Sequence, residues 1–171
     1  KGTMAAVIGL QDDKIIKICQ SHNNEGIVVA ANFNAKAQVV ISGESKAIKS
    51  IIPLMKEAGA LKVVELNVSG AFHSPLMSSA KEILSDKLLS INIKDSSFPI
   101  YSNVTALPIS NSDEIKNALI DQIDSPVLWH QSITQMINDG FKNAIEVGPG
   151  RVLQGLTKRI DRSLNMNGVE S

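Results

Sequence analysis

One histidine of this sequence stands where a general base could be placed. His73 follows a predicted apolar strand and Gly70, and it precedes Ser74 and Pro75. A serine before a proline favours a helix start, because the hydroxyl can accept an unpaired backbone N–H and the proline needs no partner. The partial positive charge at a helix N-terminus disfavours the imidazolium, so we expect a neutral ring, the form that a general base requires. A surface or packing role is the alternative for a lone histidine.

The other groups that could carry chemistry are not arranged for it. His22 and His130 are far from His73 and Cys19 stands alone, so ligand spacing predicts no metal site. Residues 148–150 (Gly-Pro-Gly) could present backbone amides to an anion, but they lack the lysine of a nucleotide loop, and a tight strand-to-helix turn is the other interpretation. The serines form no Gly-x-Ser-x-Gly nucleophile motif. The sequence thus predicts a base without its nucleophile.

Composition indicates a globular protein without a dominant charge. The sequence has 171 residues, 43% of them hydrophobic, with 17 basic and 17 acidic side chains. This balance gives no general attraction to nucleic acid or to an anionic membrane. The single cysteine excludes an internal disulfide, and no apolar run is long enough to span a membrane. We expect a cytoplasmic protein with neither nucleic acid nor membrane as a partner.

The elements that must position His73 divide into two parts, and the first is rich in strands. Strands are predicted at residues 3–10, 27–33, 38–42 and 62–68, the middle two as a hairpin. Helices are predicted between them, at residues 12–22 and 47–58, and Pro53 is expected to kink or divide the second helix. This order of strands and helices is that of a ferredoxin-like lobe, which we expect to occupy residues 1–67.

The second part, residues 68–171, alternates helices with single strands. Strands are predicted at residues 98–104 and 144–147, and helix starts at Ser74-Pro75, Ser112, Ser125-Pro126 and after Gly150. Strands separated by helices favour a parallel sheet, with ligands at the strand C-terminal ends. His73 and Gly148 lie just past such ends, and the tail after Arg162 is expected to fray.

Five segments occur in the order found in bacterial malonyl-coenzyme A:acyl carrier protein transacylases, a family that this sequence resembles over nearly its whole length. They are residues 2–10 (GTMAAVIGL), 32–43 (NFN and QVVISG), 68–77 (VSGAFHSPLM), Gln122 with 126–129 (PVLW), and 146–150 (EVGPG). Each segment is weak evidence alone, but the set is specific. The resemblance implies an α/β fold: a ferredoxin-like small subdomain (1–67) joined to the C-terminal part of a hydrolase-like parallel α/β core (68–171).

The resemblance also implies an activity and roles for particular residues. The family moves malonyl from coenzyme A to the phosphopantetheine thiol of acyl carrier protein through a malonyl-serine intermediate. His73 matches the family's base, and Gln122 matches the residue whose carbonyl orients that ring. Phe72 resembles the version associated with malonyl, where the ring leaves little room for an α-methyl branch. Asn34 and Asn103 lie in motifs near the cleft and are candidates for substrate binding. No cofactor is implied beyond the two substrates, and the full-length protein is expected to be monomeric.

The sequence departs from the family pattern in what precedes its first residue. The family's Gly-Gln-Gly-Ser-Gln loop, its Gly-His-Ser-x-Gly elbow and the arginine for the malonyl carboxylate all come earlier in the family's chains. We therefore expect this to be the C-terminal part of a malonyltransferase. We expect the 171 residues alone to be inactive, because catalytic groups of this kind act as a unit.

Two alternatives to the enzyme remain open at this stage. One is a ferredoxin-like module that binds an acyl carrier or a regulatory partner without chemistry, and the other is a truncated remnant that folds poorly. Basic side chains near the C-terminus are candidates for docking an acidic carrier helix, although a solvated face explains them as well. These side chains are Lys142, Arg151, Lys158 and Arg159.

Overall fold

The computed structural model describes residues 2–169, and its first part is a four-stranded sheet with two helices. The elements are β1 (Gly2–Ile8), α1 (Asp12–His22), β2 (Val28–Ala35), β3 (Gln38–Glu44), α2 (Ser45–Glu57) and β4 (Lys62–Glu65). The predicted order of strands and helices is therefore confirmed. Lys1, Glu170 and Ser171, at the ends of the two predicted units, lie outside the described residues.

All strand pairings in this sheet are antiparallel, in the order β2-β3-β1-β4. Strands β2 and β3 form the predicted hairpin, but its link is shorter than expected, because β2 continues through Asn34 to Ala35. Strand β4, which precedes His73, runs antiparallel to β1. The prediction that His73 follows a strand of a parallel sheet is therefore wrong.

Two apolar layers cover the two faces of this sheet. On one face, side chains from both helices and three strands form the main core, in which Ile15, Ile41 and Ile48 are fully buried. Cys19 belongs to this core. On the other face, Met4, Ala31 and Val40 form a smaller cluster. Burying a large aliphatic side chain stabilises the fold by roughly 1.5–3 kcal/mol. Because successive side chains of a strand point to opposite faces, apolar residues on both faces of this sheet have to be covered.

Helix α2 passes through Pro53 without a break, so the predicted division of the helix is wrong. Proline removes the hydrogen bond to the carbonyl four residues earlier, here that of Lys49. Both Pro53 and Lys49 lie on the exposed side of the helix, where water can solvate the carbonyl, while Ile48, Ile51 and Met55 anchor the buried side. Packing therefore outweighs the local penalty.

Up to Val169, the second part contains four helices and two short pairs of strands. After a single 3₁₀ turn (Pro75–Met77) come α3 (Ser78–Leu89), β5 (Ile100–Tyr101), β6 (Pro108–Ile109), α4 (Ser112–Asp121), α5 (Trp129–Asn138), β7 (Asn143–Val147), α6 (Val152–Ile160) and β8 (Asn165–Val169). Strands β5 and β6 pair antiparallel, whereas β7 and β8 pair parallel. Gly148 thus follows a parallel strand, as predicted.

Two predictions about strands in this part are wrong. The strand predicted at residues 98–104 shrinks to two residues, because Ser102 donates its N–H to Leu107 and the chain turns back through Ala106. The tail after Arg162, expected to fray, contributes β8 along β7, and Leu164 and Met166 are buried there. Alternating buried side chains outweigh the polar composition of that segment.

Two helix starts also differ from the prediction. Helix α4 is capped by Asn111, whose side chain accepts the N–H groups of Asp113 and Glu114, rather than by Ser112. Helix α5 begins at Trp129 rather than at Ser125-Pro126. Val127 exchanges backbone hydrogen bonds of 2.8 Å with Ala31 and Phe33 of β2, which keeps this stretch extended and joins the two parts of the chain.

Candidate active site

His73 lies in a backbone conformation that residues other than glycine rarely adopt. Its φ of 57° is in the left-handed region, which costs about 1 kcal/mol or more for a side chain with a Cβ. The fully buried Ser74 fixes the turn, because its hydroxyl donates to the Ala71 carbonyl at 2.7 Å and accepts the Leu76 N–H at 3.3 Å. Non-glycine residues held in this way are concentrated at functional sites.

The ring of His73 is oriented by the backbone of a distant segment. Its Nδ1 atom lies 2.9 Å from the backbone oxygen of Gln122, the residue that caps the C-terminus of α4. A carbonyl oxygen can only accept, so Nδ1 carries the hydrogen and Nε2 carries the lone pair in the neutral ring. Among residues 2–169, Nε2 has no hydrogen-bond partner. This arrangement leaves Nε2 able to accept a proton.

Asn103 forms a hydrogen bond with the side chain of Gln122, the residue that orients the His73 ring. Its Nδ2 donates to Oε1 of Gln122 at 3.2 Å, and its backbone oxygen accepts the N–H of Leu128 at 2.8 Å. Since Val127 is bonded to β2, a continuous path of hydrogen bonds and chain connections leads from the small sheet to the His73 ring.

The remaining predicted site residues are not joined to this network by hydrogen bonds within residues 2–169. Phe72 adjoins His73 in the chain and is 38% exposed, and its ring lies beside Gly70, where an added Cβ would be in van der Waals contact with it at 3.7 Å. Asn34 is half-buried on β2, where the register shifts between Phe33 and Ala35. The structure therefore brings His73, Gln122 and Asn103 together, while Phe72 and Asn34 remain candidates by position.

The Gly148–Gly150 turn does not leave α6 open to an anion. The Glu146 carboxylate accepts the N–H groups of Leu153 at 3.0 Å and Gln154 at 3.2 Å, so these amides are already occupied. The described residues contain no group of three or more His, Cys, Asp or Glu side chains that could hold a metal ion. None of the helices described is long and apolar enough to cross a membrane.

The chain that carries this site matches a known protein family. Residues 1–170 match the family described as the acyl transferase domain. The chain belongs to this family. The malonyl CoA-acyl carrier protein transacylase of Bacillus subtilis (strain 168) is 41% identical to this chain over 170 residues, which are 99% of the chain and 54% of that relative. The resemblance seen in the sequence is thereby confirmed.

Solved structures agree with the assignment. The acyl-carrier-protein-S-malonyltransferase from Bartonella henselae matches with a TM-score of 0.95 at 34% identity, over 100% of this chain and 55% of that one. A type II PKS acyl-carrier protein in complex with its malonyl-transacylase matches with a TM-score of 0.92 at 34% identity, over 99% of this chain and 54% of that one. The fold of this chain is therefore α/β, and the chain spans about half the length of the relatives it matches.

One feature beside the site escaped the sequence analysis. Lys81 of α3 places its Nζ 2.9 Å from Oδ1 of Asp121 and 2.9 Å from Oδ1 of Asp124, on either side of Gln122. The two hydrogen bonds raise the pKa of Lys81 above its ordinary value. Asp121 and Asp124 are visible in the sequence as carboxylates flanking Gln122, but no local pattern indicates that their partner lies in another helix.

Proposed function

We propose that this chain is the base-bearing part of an acyltransferase that moves malonyl from coenzyme A to the phosphopantetheine thiol of acyl carrier protein. The observation that carries the proposal is the hydrogen bond from Nδ1 of His73 to the Gln122 carbonyl, which leaves Nε2 as a proton acceptor. The names of the relatives supply the substrate class.

The proposed reaction has two steps. In each step, His73 first accepts a proton from the attacking group and then gives it to the leaving group. A serine from the part of the protein outside this chain gives its proton to Nε2 and attacks the malonyl thioester carbonyl. The C–S bond breaks, and the coenzyme A thiolate takes that proton from Nε2. The carrier thiol then gives its proton to Nε2 and attacks the malonyl-serine ester, and the serine oxygen leaves with the proton.

Two further residues receive proposed roles in substrate binding. Phe72 borders the acyl group of the substrate and disfavours an α-branched one, a role supported by its position beside His73 and its partial exposure. Asn34, half-buried on β2, faces the substrate from the small sheet. No cofactor is proposed beyond malonyl-coenzyme A and the carrier.

The finer domain description is also part of the proposal. Residues 1–67 form a ferredoxin-like subdomain, and residues 68–171 form the C-terminal part of a hydrolase-like core. Large apolar side chains around β7 and α6 are exposed, with Ile145 at 63%, Val147 at 80% and Val152 at 68%. An isolated pair of parallel strands with open faces is unusual, so these side chains suit a sheet completed by the rest of a protein twice as long.

Acyl carrier protein is the proposed macromolecular partner, for a full-length protein that is monomeric and cytoplasmic. Lys142 and Lys158 are exposed and suit the acidic surface of a carrier helix. Arg159 is exposed as well, but its guanidinium donates to Gln38 at 2.6 Å, which fixes it against the first residue of β3. Docking would therefore lie beside the junction of α6 and the small sheet.

The test measures malonyl transfer by the full-length protein, with labelled malonyl-coenzyme A and phosphopantetheinylated carrier protein. We expect transfer, a malonyl-serine adduct in the intact mass, and a loss of roughly a thousandfold or more in kcat for His73→Ala. His130→Gln, which alters a histidine of α5 away from the network, should keep the activity. The 171 residues alone should form no adduct.

Other outcomes separate the alternatives. A full-length protein that binds the carrier equally well with and without His73 and transfers nothing would be a binding module. A chain that neither binds nor gives a cooperative unfolding transition would be a remnant. Transfer that survives His73→Ala would remove His73 from the mechanism.

A further inference from the structure

The oxygen that orients His73 belongs to a short segment held from several directions. Gln122 ends α4, and its N–H donates to the Ala118 carbonyl at 3.0 Å. Beyond it the chain turns, with Ser125 donating to Asp121 at 3.0 Å. Helix ends fray more readily than helix interiors, so the direction of the Gln122 carbonyl depends on side chains that hold this turn in place.

Lys81 is the first of these side chains. It belongs to α3, which continues from the 3₁₀ turn that follows His73, and it bonds to Asp121 and Asp124 at 2.9 Å each. The side chains of Lys81 and Asp124 are 27% and 22% exposed, so this pair is partly shielded from water. The segment after His73 and the segment around Gln122 are therefore joined by two ion pairs, Lys81–Asp121 and Lys81–Asp124.

Asn103 is the second. It holds the side chain of Gln122 at 3.2 Å and is itself fixed through its backbone oxygen to Leu128. The amide hydrogen of Asn103 used in this bond is donated to Gln122 and is therefore not free to bind a substrate. A positioning role accounts for this contact better than the substrate-binding role predicted from the sequence.

We propose that Lys81 and Asn103 are positioning residues for His73, acting through Gln122 by fixing the backbone oxygen that selects the Nδ1–H tautomer. This inference rests on the proposed function. If the carbonyl turns away, Nε2–H competes with Nδ1–H, and a ring with its hydrogen on Nε2 cannot accept the proton of the serine. The expected effect is on kcat, because the proposal gives neither residue a contact with malonyl-coenzyme A.

A purely structural role predicts something else. Exposed ion pairs contribute little to stability, and a lysine that only joined two helices could be replaced without any change in the ring of a histidine. The tautomer of His73 therefore separates the two roles, because it reports the direction of the Gln122 carbonyl and does not depend on activity.

The experiment compares variants of the full-length protein by NMR and by kinetics. Long-range proton–nitrogen correlations of histidine-labelled protein give the tautomer, and the His73 signals are those lost in His73→Gln. We expect Nδ1–H in the wild type, a mixture in Lys81→Gln and in Asn103→Ala, and a return to Nδ1–H in Lys81→Arg. The kcat should fall about tenfold in the first two variants with KM unchanged.

Lys87→Gln is the matched control, since Lys87 lies in the last turn of α3 and forms no ion pair among residues 2–169. It should change neither the tautomer nor kcat. If Lys81→Gln fails to fold, Asp124→Asn removes part of the same contact from the other side. Folded variants that keep the Nδ1–H tautomer and the wild-type kcat overturn the positioning role. A wild type that transfers no malonyl would contradict the proposed function instead. The positioning role would then be decided by the His73 tautomers of the wild type and the variants alone.

Discussion

The carboxylate of Glu146 accepts the backbone N–H of Leu153 at 3.0 Å and so closes the N-terminus of α6. It also accepts two hydrogen bonds from Gln154, one from the backbone at 3.2 Å and one from the side chain at 3.1 Å. A helix N-terminus attracts a negative charge through its unpaired amides and its dipole. Here the chain fills that position itself, and the Gly148–Gly150 turn provides the reversal between β7 and α6.

Glu146→Gln should destabilise the fold at neutral pH and have little effect in acid. Burial opposes the charge of Glu146, but the three hydrogen bonds outweigh it and hold its pKa below the ordinary value of 4.5. A lowered pKa in the folded state stabilises the fold above the unfolded-state pKa, and this contribution is lost as the pH falls through the folded-state value. The urea midpoints of the two proteins should differ at about pH 7 and converge as the pH falls below the folded-state pKa of Glu146, which lies under 4.5.

Glu82→Gln is the control for this pair, because Glu82 lies exposed in the middle of α3. Its urea midpoint should follow that of the wild type at both pH values. A Glu146→Gln protein with the wild-type midpoint at neutral pH would mean that the helix end is stabilised by other groups.

Two glycine-to-alanine substitutions should act in opposite directions. A Cβ on Gly43 would lie 2.2 Å from the Ile27 carbonyl oxygen and 2.8 Å from the Cα of Val28, so β2 and β3 would have to separate. A Cβ on Gly155, within α6, would meet nothing within 4 Å. We expect Gly43→Ala to lower the free energy of unfolding by about 2–3 kcal/mol, and Gly155→Ala to raise it by about 0.5–1 kcal/mol. Urea unfolding measures both, and a Gly43→Ala protein as stable as the wild type would contradict the observed strand spacing.

The sequence predicted the small sheet well because its signals are local and strong. Each element is fixed within a few residues, by alternating apolar residues or by the short link before Gln38. The motif around His73 was found for the same reason, since Ser74 and Pro75 act on their own neighbours. The Ser74 cap on Leu76 is observed as expected.

The errors lie where distant segments decide the local structure. Helix α5 starts late because Val127 pairs with β2, and β8 exists because β7 lies beside it. Lys81 could not be assigned to Asp121 and Asp124, because charges in separate helices leave no periodic pattern. The bond from His73 to Gln122 was expected from family resemblance alone, and spacing could not have supplied it.

Ala37→Gly should stabilise the chain, whereas the same change one residue earlier should not. Ala37 has a φ of 57° in the link between β2 and β3, and an L residue pays roughly 1–2 kcal/mol for this conformation. Glycine removes that penalty at an entropic cost of about 0.5–1 kcal/mol, so we expect a net gain of about 0.5–1 kcal/mol. Lys36→Gly, where φ is negative, should lose about as much. Urea midpoints that shift in the same direction for both variants would show that the conformation of Ala37 is not the cause.

Tyr101 should ionise at unusually high pH, and the sequence makes this simple to observe because it contains a single tyrosine. Burial and a hydrogen bond of 2.5 Å to the carboxylate of Asp139 raise its pKa from 10.0 to about 12. A raised folded-state pKa stabilises the fold fully below pH 10.0, and this contribution is lost as the pH rises through about 12. Titration of tyrosinate absorbance should therefore show one late transition, accompanied by falling stability.

Asp139→Asn removes the negative charge beside this hydroxyl and should lower the pKa of Tyr101, although not fully to 10.0, because burial is the larger cause of the shift. Asp113→Asn, at the exposed start of α4, is the control and should leave the titration unchanged. If the Asp139→Asn midpoint stays at the wild-type value, burial alone raises the pKa. The contact between Tyr101 of β5 and Asp139 at the end of α5 would then have no electrostatic component. The ring of Tyr101 would be held by its T-shaped packing on Phe141.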